Sequence, residues 1–195
     1  FERCARRFLY THVLKVGGRR TESTFMKMHT AVQDVLNWLS RDLASDPTIA
    51  EVDARIDEAW KSVGPWEHAS SAELRQIAGR LIAFYLQRRR GYRRTAPPAL
   101  RFVTEHGQIL VKPDQALSNS AGAITLRRVS TRHHSSEDDD SLATAAFQLA
   151  ADGHASGYTL ELLYLTDDVI APVDLSPRVL SNRRASVADA LRDIR

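Results

Sequence analysis

Two adjacent prolines, Pro97 and Pro98, divide this chain into halves of different texture, and that division constrains the fold more than any other feature. Proline fixes its own φ and pushes the preceding residue toward extended backbone, so the pair punctuates the chain between helical and extended segments. Upstream of it, apolar residues recur at helical spacing. Downstream they alternate over short runs bounded by turn residues, the pattern of strands. Helices, then three strands, a helix and a strand read as an α/β fold with an N-terminal helical portion.

The upstream half predicts four helical segments. Phe1, Cys4, Phe8, Leu9, His12 and Val13 place a short amphipathic helix over Phe1–Val16, ended by Gly17-Gly18. Phe25, Met28, Val32, Val35, Leu36 and Leu39 then mark a long helix, about Thr24–Leu43, with Ser23 or Thr24 as cap. His29 sits beside that stripe and reads as a partly buried histidine in a hydrogen bond, with a metal ligand or phosphate contact as the alternative. Asp46 as cap and Pro47 at the first helical position open the next helix, whose face is Ile49, Val52, Ile56, Ala59, Trp60 and Val63. After Gly64-Pro65, a fourth helix over Ser70–Arg90 runs straight into a basic stretch, Arg88-Arg-Arg-Gly-Tyr92-Arg-Arg94.

Past the prolines, Ala99–Thr104 and Gln108–Val111 read as strands around a His106-Gly107 turn. Ile109–Gln115 and Ala123–Thr131 read as a hairpin across Ser118-Asn-Ser-Ala-Gly122. An acidic loop follows, then an alanine-rich helix over Ser141–Ala151 capped by Ser141 or Asp140, a strand at Tyr158–Leu165 and a terminal helix in the tail from Ser176. The expected division is one domain over 1–195, with a mainly helical part (1–96), an α/β core (97–175) and a C-terminal tail (176–195). Starting at Phe1 within a helix-forming run, the chain reads as a fragment of a larger protein.

Composition narrows the classes. At 195 residues the chain can bury a core without disulfides, and its single cysteine, Cys4, points to a reducing, cytoplasmic setting. No apolar run approaches the roughly 20 residues that span a bilayer, so no membrane partner is expected. The net charge of +3 says little, but its distribution says more: Arg75 to Arg101 holds eight arginines and no acid, whereas Glu137–Asp140 is four acids in a row.

The hairpin is where chemistry would lie. It offers one carboxylate, Asp114, and opposes it with Arg127 and Arg128. Metal-assisted phosphodiester hydrolysis uses two or more hard oxygen ligands and a cation near the attacking water, and an arginine in that pocket repels a divalent metal. Arg88, Arg89, Arg90, Arg93 and Arg94, with Tyr92, suit binding without cutting, as guanidinium groups can follow a nucleic-acid backbone while rings stack on bases. The bland reading of the same stretch is a solvated helix face and a basic loop. His133-His134 and His154 lack the partners of a metal site, and the acid run lacks the spacing of a calcium loop.

Cys4-Ala-Arg-Arg-Phe8-Leu-Tyr10, Ser23-Thr-Phe25-x-x-x-His29, Val111-Lys-Pro-Asp114-Gln115, Arg128-Val-Ser130-Thr-Arg132 and Ala143-Thr-Ala-Ala-Phe147 occur in an order that resembles the C-terminal nuclease domain of RecB/AddB-type helicase-nucleases, the PD-(D/E)xK superfamily. The resemblance covers Cys4 to Leu165 and implies a restriction-endonuclease-like mixed central sheet flanked by helices. It also implies a degenerate active site at His29, Asp114, Arg128 and Ser130: Asp114 survives, while Arg128, Ser130 and Ala143 stand in place of the second carboxylate, the lysine and the glutamine. The four cysteines of the iron-sulfur variants are absent. The function expected is therefore a catalytically inactive nuclease-like domain of a DNA-repair helicase, without cofactor, acting in DNA binding or scaffolding. Its partners would be single-stranded DNA or duplex ends and the other domains of the parent helicase. The alternatives are an active magnesium- or manganese-dependent deoxyribonuclease with displaced ligands, and a protein-protein docking module.

Overall fold

The computed structural model of the chain describes residues 22–41, 47–139, 141–154 and 157–193. The helix expected over Phe1–Val16 and the expected caps Asp46 and Asp140 lie outside them. Three helices open the described fold: α1 (Thr24–Arg41), α2 (Ile49–Val63) and α3 (Ser71–Gln87). In α1 the Ser23 hydroxyl accepts the Met26 amide at 3.2 Å, so Ser23 caps the helix, and Met28, Val32, Val35, Leu36 and Leu39 are buried as their spacing predicts. Phe25, at the head of that stripe, is instead exposed and lies edge-on to His29.

Helix α2 begins later than expected. Thr48, not Asp46, is its N-cap: the Thr48 hydroxyl accepts the Glu51 amide at 3.2 Å and the Glu51 carboxylate accepts the Thr48 amide at 2.7 Å, a reciprocal capping box that leaves Pro47 outside the helix. Its end is fixed at Gly64, where a Cβ would come within 2.7 Å of the Trp60 carbonyl oxygen. Val52, Ile56, Ala59 and Trp60 are buried, but Ile49 is 81% exposed.

Helix α3 stops at Gln87, and the basic stretch that follows turns through Gly91, at a φ of 82°, into an edge strand, β1 (Arg93–Thr95). β2 (Leu100–Thr104) and β3 (Gly107–Val111) form a separate two-stranded antiparallel ribbon. The main sheet adds β4 (Gln115–Ser118), β5 (Ile124–Ser130), β6 (Thr159–Tyr164) and β7 (Val169–Pro172), in the order β1-β4-β5-β6-β7. Among the described strands only β5 and β6 are parallel, and their crossover carries α4 (Ser136–Asp139) and α5 (Leu142–Asp152). Helix α6 (Pro177–Asp193) closes the chain.

The expected hairpin is thus corrected in its first arm. Ile109–Val111 belongs to the ribbon, and β4 alone faces β5 across residues 119–123. Pro113 has no amide hydrogen to donate to a ladder, which is where the two strands separate.

Alternation along β5 and β6 sends side chains to two faces. Val129, Leu163 and the adjoining Leu165 pack under α1, α2 and α3. Leu126, Leu160, Leu162 and Tyr164 pack on Phe147, Ala150 and Ala151 of α5 and on Leu100 of the ribbon. Helix α5 is buried nearly all round because α6 covers its other side through Leu180 and Val187 against Ala145 and Leu149. The described fold is therefore α/β: a mixed central sheet flanked by helices, with a helical N-terminal part. Among the described residues no helix is long and apolar enough to cross a membrane.

Candidate functional site

Asp114 stands where the chain leaves the ribbon and enters β4. Its amide donates to the Arg127 carbonyl at 3.0 Å, extending the ladder by one bond, and its carboxylate then accepts the Val129 amide at 2.7 Å. The side chain takes over pairing with β5 at the point where Pro113 carries the main chain away. Protein atoms crowd the carboxyl although it touches solvent, and this desolvation holds it above the usual carboxylate range, against the pull of the Val129 amide and the Arg128 guanidinium. Asp114 makes no ion pair with either arginine of β5.

Beside it, the end of β5 borders a cleft of about 310 Å³. Arg128 and Ser130 share one face of β5, and the parallel register sets Ser130 against Tyr164 of β6. Gln33 of α1 and Ala143 and Thr144 at the start of α5 complete the walls. Arg128 donates to the Ala143 carbonyl at 3.3 Å, and the Ser130 hydroxyl accepts the Arg132 amide at 3.1 Å. His134 lies against the Tyr164 ring at a tilt of 57°, with ring centroids 4.8 Å apart, while Asp167 holds His133 at 2.6 Å and accepts the His134 amide at 2.6 Å. Those bonds hold the Asp167 carboxyl below the usual range.

The structure thus brings Arg128 and Ser130 to one cleft, with Asp114 close to Arg128 but on the wall of a separate pocket that Tyr85, Arg89 and Arg94 also line. His29 lies one turn of α1 before Gln33, edge-on to Phe25 at 4.2 Å between ring centroids, and makes no hydrogen bond to Asp114. Among the described residues the hydrogen bond expected for it is not found: its Nδ1 is buried without a partner there, and burial lowers its pKa.

Arg127, next in sequence to Arg128, points to the opposite face and is 1% exposed. Its guanidinium donates to Glu161 at 2.6 and 2.9 Å, to the Arg88 carbonyl at the end of α3 at 3.1 Å, and to Gln115 at 3.3 Å. The register sets Gln115, Arg127 and Glu161 side by side across β4, β5 and β6.

The basic stretch divides in the same way. Arg89, expected to touch phosphate, is 2% exposed: it lies over the Tyr85 ring and donates to the Leu39 carbonyl at 3.2 Å, in the last turn of α1. A cation there offsets the partial negative charge of a helix C-terminus, and its burial removes it from any backbone track. Arg88 covers the Phe84 ring and donates to the Asp168 carbonyl at 3.3 Å. Arg90, Tyr92 and Arg93 are exposed and Arg94 is half-buried. Arg93 faces Ser118, at the far end of β4 from Asp114, a separation of about 13 Å at strand rise.

The walls contributed by Gln33, Thr144 and Tyr164 were not read from the sequence. Period-two alternation through Leu160, Leu162 and Tyr164 is the signal that places Tyr164 on the Arg128 face. The donor set does not fit a divalent cation, which needs several hard oxygen ligands: Asp114 is already bonded to an amide and has Arg128 beside it. Among the described residues no group of three or more His, Cys, Asp or Glu is placed to hold a metal ion. No family model matches this chain, and no curated protein is significantly similar to it.

Proposed function

We propose that this chain is a nuclease-like domain without catalysis of its own, which serves a cytoplasmic DNA-repair helicase by binding DNA or by scaffolding. The observation that carries the reading is the setting of Asp114, bonded to the Val129 amide and with the Arg128 guanidinium nearby. A carboxylate that accepts a backbone amide, is raised in pKa by desolvation and adjoins a guanidinium is poorly suited to hold a metal, whereas the arginine suits an anion. The restriction-endonuclease-like arrangement implied by the resemblance is supported by the bond from the Val129 amide to Asp114, which sets that carboxylate on the strand that carries Arg128 and Ser130. On the DNA-binding reading, Arg128 takes a backbone phosphate at the cleft, and the exposed Arg90 and Arg93 hold phosphates further along, with Tyr92 available to stack on a base.

The test combines binding and cleavage. Incubated with single-stranded and blunt duplex DNA in magnesium or manganese, the protein retards both without degrading either, and EDTA leaves the complex intact. Metal-dependent digestion abolished by Asp114→Ala would establish the active-nuclease alternative. Absence of binding even at low salt would favour the docking module.

A further inference from the structure

The ribbon of β2 and β3 has two faces of different character. Its inner face is covered: Leu100, Phe102, Ile109 and Val111 pack on α5, α6 and the main sheet. Alternation sends Arg101, Val103, Gln108 and Leu110 to the outer face, with Lys112 following just past β3, and all five are exposed. Leu110 is 68% and Val103 57% open to solvent. No described residue bonds the side chain of Arg101, Gln108 or Lys112.

The register sets Arg101 beside Leu110 and Val103 beside Gln108, so the outer face consists of two cross-strand rows, each holding one aliphatic side chain and one hydrogen-bond donor. Adjacent rows lie about 7 Å apart along the strands, which matches two base-pair steps of about 3.4 Å. Arg101 and Lys112 make the face basic. The ribbon's one acid, Glu105, sits at the turn beside His106, whose Nε2 is 3.3 Å away. Exposure alternates onward from Gln108 through Leu110 and Lys112 to Asp114, so the face leads to the carboxylate near the Arg128 guanidinium.

We propose that this ribbon enters the major groove of duplex DNA and reads A·T base pairs there, with Arg101 and Lys112 holding phosphates at the groove's edges. This rests on the DNA-binding reading and narrows it to the duplex. The major groove, about 12 Å wide, admits a two-stranded ribbon whose strands lie about 4.8 Å apart. Within it Gln108 spans the N6 and N7 of an adenine, while Val103 and Leu110 contact thymine methyl groups. Those methyl groups give the two exposed aliphatic side chains a partner that a phosphate backbone alone does not. A second copy of the chain would cover the same aliphatic pair, but stacking two such faces sets Arg101 and Lys112 against like charges, with no acid among the five residues of either face.

Fluorescence anisotropy of the 195-residue chain with short duplexes of alternating adenine and thymine tests it. Replacing thymine by uracil removes the C5-methyl group, and replacing adenine by 7-deazaadenine removes N7; both leave the phosphates and the minor-groove edge as they are. The first weakens binding about threefold and the second about fivefold or more. Gln108→Ala loses the sensitivity to 7-deazaadenine, and Val103→Ala with Leu110→Ala loses the sensitivity to uracil, while the far-UV circular dichroism of these surface variants stays that of the wild type. Arg101→Ala with Lys112→Ala weakens binding to all three duplexes and flattens the slope of log affinity against log salt by about 1.8. Equal binding of the three duplexes by the wild-type chain overturns the proposal, and so does discrimination that survives the substitutions at Gln108, Val103 and Leu110, or a slope indifferent to the loss of Arg101 and Lys112. In each of those cases salt-sensitive binding that depends on Arg128 leaves the DNA-binding reading standing, whereas absence of binding to any duplex or single strand at low salt overturns both.

Discussion

Arg127 and Arg128 are neighbours in sequence and opposite in fate, and the two faces of β5 explain why. On the face toward α3, Arg127 is enclosed and engaged by Glu161, Gln115 and the Arg88 carbonyl. On the other face, Arg128 borders a cleft and makes one described hydrogen bond, to the Ala143 carbonyl. The basic stretch after α3 repeats the lesson, with Arg89 buried against α1 while Arg90 and Arg93 face solvent. A cluster of like charges in a sequence is therefore no map of a binding surface. Strand alternation and the nearest helix end decide which guanidinium is structural.

Removing the enclosed cation should have the largest effect. Arg127→Met leaves the Glu161 carboxylate without its partner and should cost about 3 kcal/mol, measured by urea denaturation. Adding Glu161→Leu should recover most of that, because a well-packed apolar pair can match a buried ion pair. Arg89→Met should cost roughly 1–3 kcal/mol, since the Leu39 carbonyl loses its donor in a buried setting. DNA affinity of the folded variant should be unchanged. Arg128→Ala should do the reverse, altering stability by less than about 1 kcal/mol while weakening DNA binding several-fold. A drop in stability comparable to that of Arg127→Met would erase the distinction between the faces.

The smallest effect concerns pH. The folded pKa of Asp114 is raised, so folding disfavours its charged form: its contribution is fully favourable below the unfolded value and is lost as pH rises through the folded one. Asp114→Asn can still accept the Val129 amide and carries no charge. It should be more stable than wild type at neutral pH, with the difference vanishing below the ordinary aspartate range. A variant less stable at neutral pH would mean that the carboxylate makes a favourable contact that the amide cannot replace.

Much of this was legible in the sequence where the cause is local. The buried stripe of α1, the strand pair around His106-Gly107, the Ser141 cap and the nearness of Asp114 to Arg128 all follow from periodicity and turn residues. Strand β1 did not, because Arg93-Arg-Thr95 has no apolar alternation and is extended only by pairing with β4. The burial of Arg127 was equally hidden, since its acid lies 34 residues away on a parallel neighbour. Ile49 shows the converse: helical spacing places it on the buried face of α2, and the structure leaves it exposed.

On the proposed reading, the cleft that Arg128 borders receives a phosphate and leaves it intact. Fluorescence anisotropy with a labelled single-stranded oligonucleotide, across a range of salt concentrations, tests it directly. Each phosphate contact contributes about 0.7 to the slope of log affinity against log salt on single strands. Arg128→Ala should flatten the slope by about that amount, with the oligonucleotide recovered at full length from magnesium, whereas neutralising the exposed Arg178 of α6 should leave the slope unchanged. Equal flattening by both variants would show that only total charge matters, and shortened oligonucleotide would show that the cleft cuts what it holds; either result contradicts the account.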